Sequence, residues 1–192
     1  MWNQTYSKIN FLKKETDFQF DMEYLKSMYY KKDDLYYTNN GELELKSEII
    51  INSKNIFSVY TKSSYDLYIK ISESLKEICK IYEINIDKQR YMIYGKISKY
   101  GKITNGSWYD FPGINIPHLH GMYFPTEAEY KVSFRNNNET LEELFYKNTL
   151  FINKPTDIIN IKTKEDQEVI EFYIAPLIDL EHNEPGVWVP IN

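Results

Sequence analysis

The chain has 192 residues, enough for one well-buried domain and short for two, and 23 basic against 28 acidic side chains give it a formal net charge of -5. That balance argues against nucleic acid as a partner, because non-specific binding to phosphates needs a basic footprint. A single cysteine, Cys79, excludes an intrachain disulfide and a cysteine-based zinc cage.

No run approaches the roughly 20 apolar residues of a membrane span, and Met1 to Thr5 lack a basic stretch followed by an apolar one. A soluble, cytoplasmic protein is expected, with no membrane partner. The palette is skewed toward Ile, Asn, Lys and Tyr, and Ala128 and Ala175 are the only alanines. An AT-rich coding sequence produces that skew, which points to a phage, a virus or an AT-rich bacterium. For a phage protein the compartment would be the host cytoplasm.

Residues 1–87 read as a helix-bearing part of a single domain spanning 1–192. A short helix is expected through Asp21 to Met28, and a strand at Ile49 to Ile51. The clearest helix runs from about Ser64 to Tyr82, where Tyr68, Ile71, Leu75, Ile78 and Tyr82 recur at steps of three and four and form one apolar stripe. Ser63 or Ser64 would cap it, a sheet would receive its stripe, and Cys79 would be a buried structural thiol.

Residues 88–192 read as β-rich. Strands are expected at Tyr91 to Ser98, Ala128 to Phe134, Thr149 to Asn153, Asp157 to Ile161 and Val169 to Ile174. Asn136 to Asn138 mark a turn, Glu139 to Tyr146 a short helical excursion, and the acids from Glu165 to Glu168 an exposed hairpin tip. Helices followed by a run of short strands suit a β-sandwich or jelly roll with helices covering one sheet. Neither G-x-G-x-x-G, nor a P-loop, nor G-x-S-x-G is present, so nucleotide-binding and serine-hydrolase readings lack support.

Two of the three histidines, His118 and His120, stand one residue apart in Pro117-His118-Leu119-His120-Gly121-Met122. On a strand both imidazoles point to the same face, which is chelating geometry and equally the geometry of a polar surface patch. His182 lies far enough downstream for a returning strand to supply a third ligand, and its acidic, Asn-Glu-Pro-Gly-flanked setting also suits a solvated turn. Trp108, Tyr109 and Phe111 read as core or as the rim of a barrel. Glu127 is a weaker ligand candidate, with six residues between it and His120.

The succession Gly106-Ser107-Trp108-Tyr109-Asp110, Gly113, Pro117-His118-Leu119-His120, then Glu127 to Val132, resembles the phage-borne and bacterial 2-oxoglutarate/Fe(II) oxygenases. Asn148 to Pro155 and Glu168 to Ile174 are similar to that family's late strands, so the likeness runs from about Ser64 to Pro176. It implies a double-stranded β-helix, a cupin-like jelly roll, with Fe(II) held by His118 and His120 from an early strand. In the late segment the family's histidine is missing, and Asp157 is the nearest residue able to ligate. The family's late arginine, which grips the far carboxylate of 2-oxoglutarate, is also missing, since Arg90 and Arg135 are the only arginines. Lys162 and Lys164 would substitute imperfectly, so weak or absent 2-oxoglutarate binding is expected.

The leading expectation is therefore a metal-binding, oxygenase-like jelly roll, an Fe(II)-dependent dioxygenase or hydroxylase if active, with its small-molecule or protein substrate unidentified. The alternative is a non-enzymatic virion or assembly protein on a degenerate jelly roll. The apolar tail from Pro185 to Ile191 is its chief support, as a segment that docks on a second copy or on a virion partner, or that folds back on its own sheet.

Overall fold

The computed structural model describes residues 9–29, 35–37, 43–45, 55–59, 61–85, 90–101, 119–136, 139–154, 158–176 and 188–191. They form a mainly β, α+β fold of antiparallel sheets. The expected strand at Ile49 to Ile51 and the turn at Asn137 and Asn138 lie outside the described residues.

In chain order the elements are β1 (Phe11–Glu15), α1 (Met22–Tyr29), β2 (Leu35–Tyr37), β3 (Leu43–Leu45), a 3-10 turn at Ile56–Ser58, α2 (Lys62–Ile81), β4 (Tyr91–Tyr100), β5 (Leu119–Phe124), β6 (Tyr130–Arg135), β7 (Thr140–Phe145), β8 (Thr149–Asn153), β9 (Ile158–Lys162), β10 (Gln167–Pro176) and β11 (Val189–Ile191). A large sheet has the order β1-β8-β5-β10-β4-β11, a smaller one β7-β6-β9, and β2 pairs with β3.

Helix α2 forms where the stripe predicts it, but its cap lies earlier than Ser63 or Ser64. Thr61 is the N-cap: its hydroxyl accepts from Ser64 N at 3.1 Å, and Ser64 Oγ accepts from Thr61 N at 3.3 Å, a reciprocal capping box. Ser63 instead accepts from Asp21 N and ties the approach to α1 against α2. The helix ends in a Schellman turn, with Glu83 in the left-handed region (φ 57°) and Ile84 N donating to Cys79 O at 2.8 Å.

Both faces of the large sheet are covered. On one, Leu67, Ile71, Leu75, Ile78 and Cys79 of α2 pack on Ile93, Ile97, Leu119, Tyr123, Ile170, Phe172 and Ile174. On the other, Met122, Phe124, Phe151 and Val169 meet Tyr130, Val132, Phe134, Phe145, Ile159 and Ile161 of the smaller sheet. Rings dominate this second layer, with Phe11 stacked on Phe134 at 4.6 Å and Phe134 edge-on to Phe151 at 5.1 Å. Burial also pushes the Cys79 thiol up to about 11, so it serves as core.

Two expectations are corrected. Glu139 to Tyr146 holds no helical excursion: β7 pairs antiparallel with β6, and its exposed Leu141 and Leu144 belong to the outer strand of the smaller sheet. The acids from Glu165 to Glu168 do not tip a hairpin, because β9 and β10 belong to different sheets and the segment between them crosses from one to the other. Within residues 1–87, β1 also joins the large sheet by pairing with β8. The tail folds back: β11 pairs with β4, and Ile191 is buried.

Gly121 sits where β5 passes under Phe172. A Cβ there would stand 2.3 Å from Phe172 Cζ and 2.5 Å from the Phe151 carbonyl oxygen, and that backbone cannot retreat without breaking sheet pairing. Gly121→Ala is expected to destabilise the fold by about 1–3 kcal/mol. Urea unfolding checks this, and an unchanged midpoint contradicts it.

Candidate functional site

One row crosses the large sheet through paired positions: Tyr94 opposite Tyr173, Tyr173 opposite His120, His120 opposite Asn153, and Asn153 opposite Phe11. Paired residues share a face, and this is the face that meets the smaller sheet. One pleat further along each strand lie Lys96, Glu171, Met122 and Phe151. The layer therefore changes within a single step from packed aromatic rings to a polar cluster of His120, Asn153, Glu171, Tyr173, Lys96 and Ser98.

Every link in the cluster is short. His120 Nδ1 faces Asn153 Oδ1 at 3.1 Å, and Asn153 Nδ2 donates to Lys154 O at 2.8 Å. That second bond fixes the amide with its oxygen toward the ring, so Nδ1 is the donor. His120 Nε2 stands 3.2 Å from Glu171 Oε1. Tyr173 donates its hydroxyl to the same Oε1 at 2.9 Å, while Oε2 accepts from Ser98 Oγ at 2.6 Å and pairs with Lys96 Nζ at 3.4 Å. His120 and Asn153 are fully buried and Glu171 nearly so.

Burial alone would push the Glu171 carboxyl up. The hydrogen bond and charge of His120, then the Lys96 ammonium and the Ser98 hydroxyl, outweigh it and bring the group down to about 2. The neighbouring Tyr173 phenol is pushed far up, by burial first and then by the charge of Glu171. Lys96, whose ammonium also lies 5.8 Å from the centre of the Tyr173 ring, is partly exposed.

Of the residues singled out in the sequence, His120 is central to this cluster. His118, Asp157, His182, Trp108, Tyr109 and Phe111 lie outside the described residues. Glu127 is exposed and paired with Lys147 at 2.7 Å. Lys162 and Lys164 are both exposed, and Lys162 alternates with buried Ile161, on the side of the smaller sheet turned away from the rings. Among the described residues no three His, Cys, Asp or Glu side chains converge as a metal cage. No helix among them is long and apolar enough to cross a membrane.

Glu171, Asn153, Tyr173, Ser98 and Lys96 were not singled out by sequence reasoning. The signal for Glu171 was its place as one acid inside the apolar run Val169-Ile170-Glu171-Phe172-Tyr173-Ile174, where an ionised group must be paired. An open apolar cleft of about 390 Å³, lined by Phe57, Val59, Tyr65, Tyr68 and Val189 among others, lies on the helix-covered side and is separate from the cluster. The sequence matches no protein-family model, and no similar curated protein is found.

The folded value of Glu171 lies below its ordinary 4.5. Its stabilisation is therefore fully present above about pH 4.5 and is lost as pH falls toward 2. Glu171→Gln should cost about 3 kcal/mol at neutral pH, as removal of one partner of a buried pair does. The gap to the wild type should narrow on acidification, and denaturant titrations at pH 7 and pH 3 measure it. An equal gap at both contradicts the assignment.

Proposed function

We propose that the protein is a jelly roll of the double-stranded β-helix kind and that the His120 region of its inner face binds a metal ion, Fe(II) by resemblance to the oxygenases. The strand order supports the fold. From β5 to β10 the chain visits the sheets in the sequence large, small, small, large, small, large, and β10 returns between β4 and β5. Such repeated crossing is how two Greek keys wind into a jelly roll.

The observation that carries the metal reading is the meeting of an imidazole and a carboxylate on that inner face, 3.2 Å apart. Two ligand atoms about 2.1–2.2 Å from one ion at a right angle lie about 3.0 Å apart, so this spacing suits neighbouring ligands. His118 stands one residue before Leu119 in the chain. Asp157 follows Lys154, whose carbonyl holds Asn153, by three residues, a reach of at most about 11 Å. Both remain ligand candidates. Bound iron would supply the oxidising power, while the chain would orient it and exclude water.

The second reading is a non-enzymatic virion or assembly module. One observation favours it: both nitrogens of His120 are already engaged within a fully buried network, as in a structural histidine.

Metal analysis of untagged protein separates the two. A stoichiometric ion that disappears in the His118→Ala, His120→Ala double variant is the expected result, and a metal-free, stable wild type favours the structural module. Anaerobic titration of 2-oxoglutarate into Fe(II)-loaded protein should give weak binding or none. Without an arginine fork the dicarboxylate loses a charge-assisted anchor, and about ten- to a hundredfold in affinity with it. Micromolar binding with a visible charge-transfer band would show that a cation other than the outward-facing Lys162 serves as the anchor.

A further inference from the structure

We propose that Glu171, rather than Asp157, supplies the carboxylate of the metal site, binding the ion beside His120 Nε2 while Asn153 holds the imidazole from its other nitrogen. The inference rests on the metal-binding reading above and names the acid of that same site.

Three features of the cluster carry it. Nε2 and Glu171 Oε1 already stand 3.2 Å apart, close to the roughly 3.0 Å between two atoms at neighbouring positions on one ion. The bond from Nδ1 to Asn153 Oδ1 is the outer hydrogen bond that metal-bound imidazoles make, and it leaves Nε2 as the ligating atom. The carboxylate is also held from behind, because Ser98 and Lys96 engage Oε2 and keep Oε1 directed at the ring. The Tyr173 hydroxyl at 2.9 Å gives Oε1 a second fixed neighbour.

The donors are one imidazole and one carboxylate, with no thiolate within the set. That chemistry suits a divalent first-row ion such as Fe(II), Mn(II) or Zn(II) and suits Cu(I) poorly. Zn(II) is the convenient probe because it does not oxidise the site.

The experiment titrates Zn(II) into the full-length wild type, Glu171→Gln and Asp157→Asn by calorimetry, with bound metal counted by mass spectrometry. Glu171→Gln, which keeps size and removes charge, is expected to weaken Zn(II) at least about a hundredfold. Asp157→Asn should stay within about threefold of wild type.

Binding by Glu171→Gln within threefold of wild type overturns the inference while leaving the metal site itself in place. A wild type that takes up no Zn(II) overturns both. If Glu171→Gln does not fold, Glu171→Asp decides: it keeps the charge on an arm one carbon shorter, so a drop of tenfold or more supports the assignment and unchanged affinity overturns it.

Discussion

The strands β5, β8 and β10 are covered on both faces, which leaves a polar group on them little room to rest in water, and the polar cluster follows from that condition. In β5 and β8 every residue is buried, and in β10 most are. The helix layer and the ring layer together keep water from the central strands. Any polar side chain there must find its partners within the protein. His120, Asn153 and Glu171 do so by holding one another, with Tyr173, Ser98 and Lys96 completing the set. The same double cover explains Gly121, where strand and ring approach too closely for a side chain.

Covered sheets are also hard to read in a sequence. Alternation was legible in β6, whose Lys131 is exposed between buried Tyr130 and Val132. It was absent from β5 and β10, which read as apolar runs because both faces are inside. Helix α2 was legible for the converse reason: one face is solvated, so its stripe stands out against Lys70, Glu73 and Lys76. Strand β7, with its acids Glu142 and Glu143, carries a helix-like composition, and what makes it a strand is pairing with β6, a tertiary fact that local preference does not contain. The short β2 and β3 pair in a stretch whose residues carry mixed signals.

The candidate site divides in the same way. His120 was conspicuous because histidine is rare in this chain. Its partners come from β4, β8 and β10, as far as 51 residues away, and only strand order sets them side by side. Glu171 left a trace, since a single acid in an apolar run calls for a partner, but nothing local could say that the partner was His120. Lys96 and Ser98 left none, because alternate polar residues on β4 are what a half-solvated strand would also show.

The place of β1 bears on how the chain is made. Among the described strands β1 waits longest for its neighbour, because β8 is synthesised long afterwards: the hydroxyl of Thr16 and its acceptor, the Asn148 carbonyl, are 132 residues apart. At ordinary translation rates that interval is roughly 7–26 s. Through it Leu12 waits without its strand partner Ile152. Such long-range pairing closes slowly, and until it does the outer edge of β8 is a bare row of backbone donors and acceptors. Of the described strands, β1 is therefore the one exposed to wrong partners for longest.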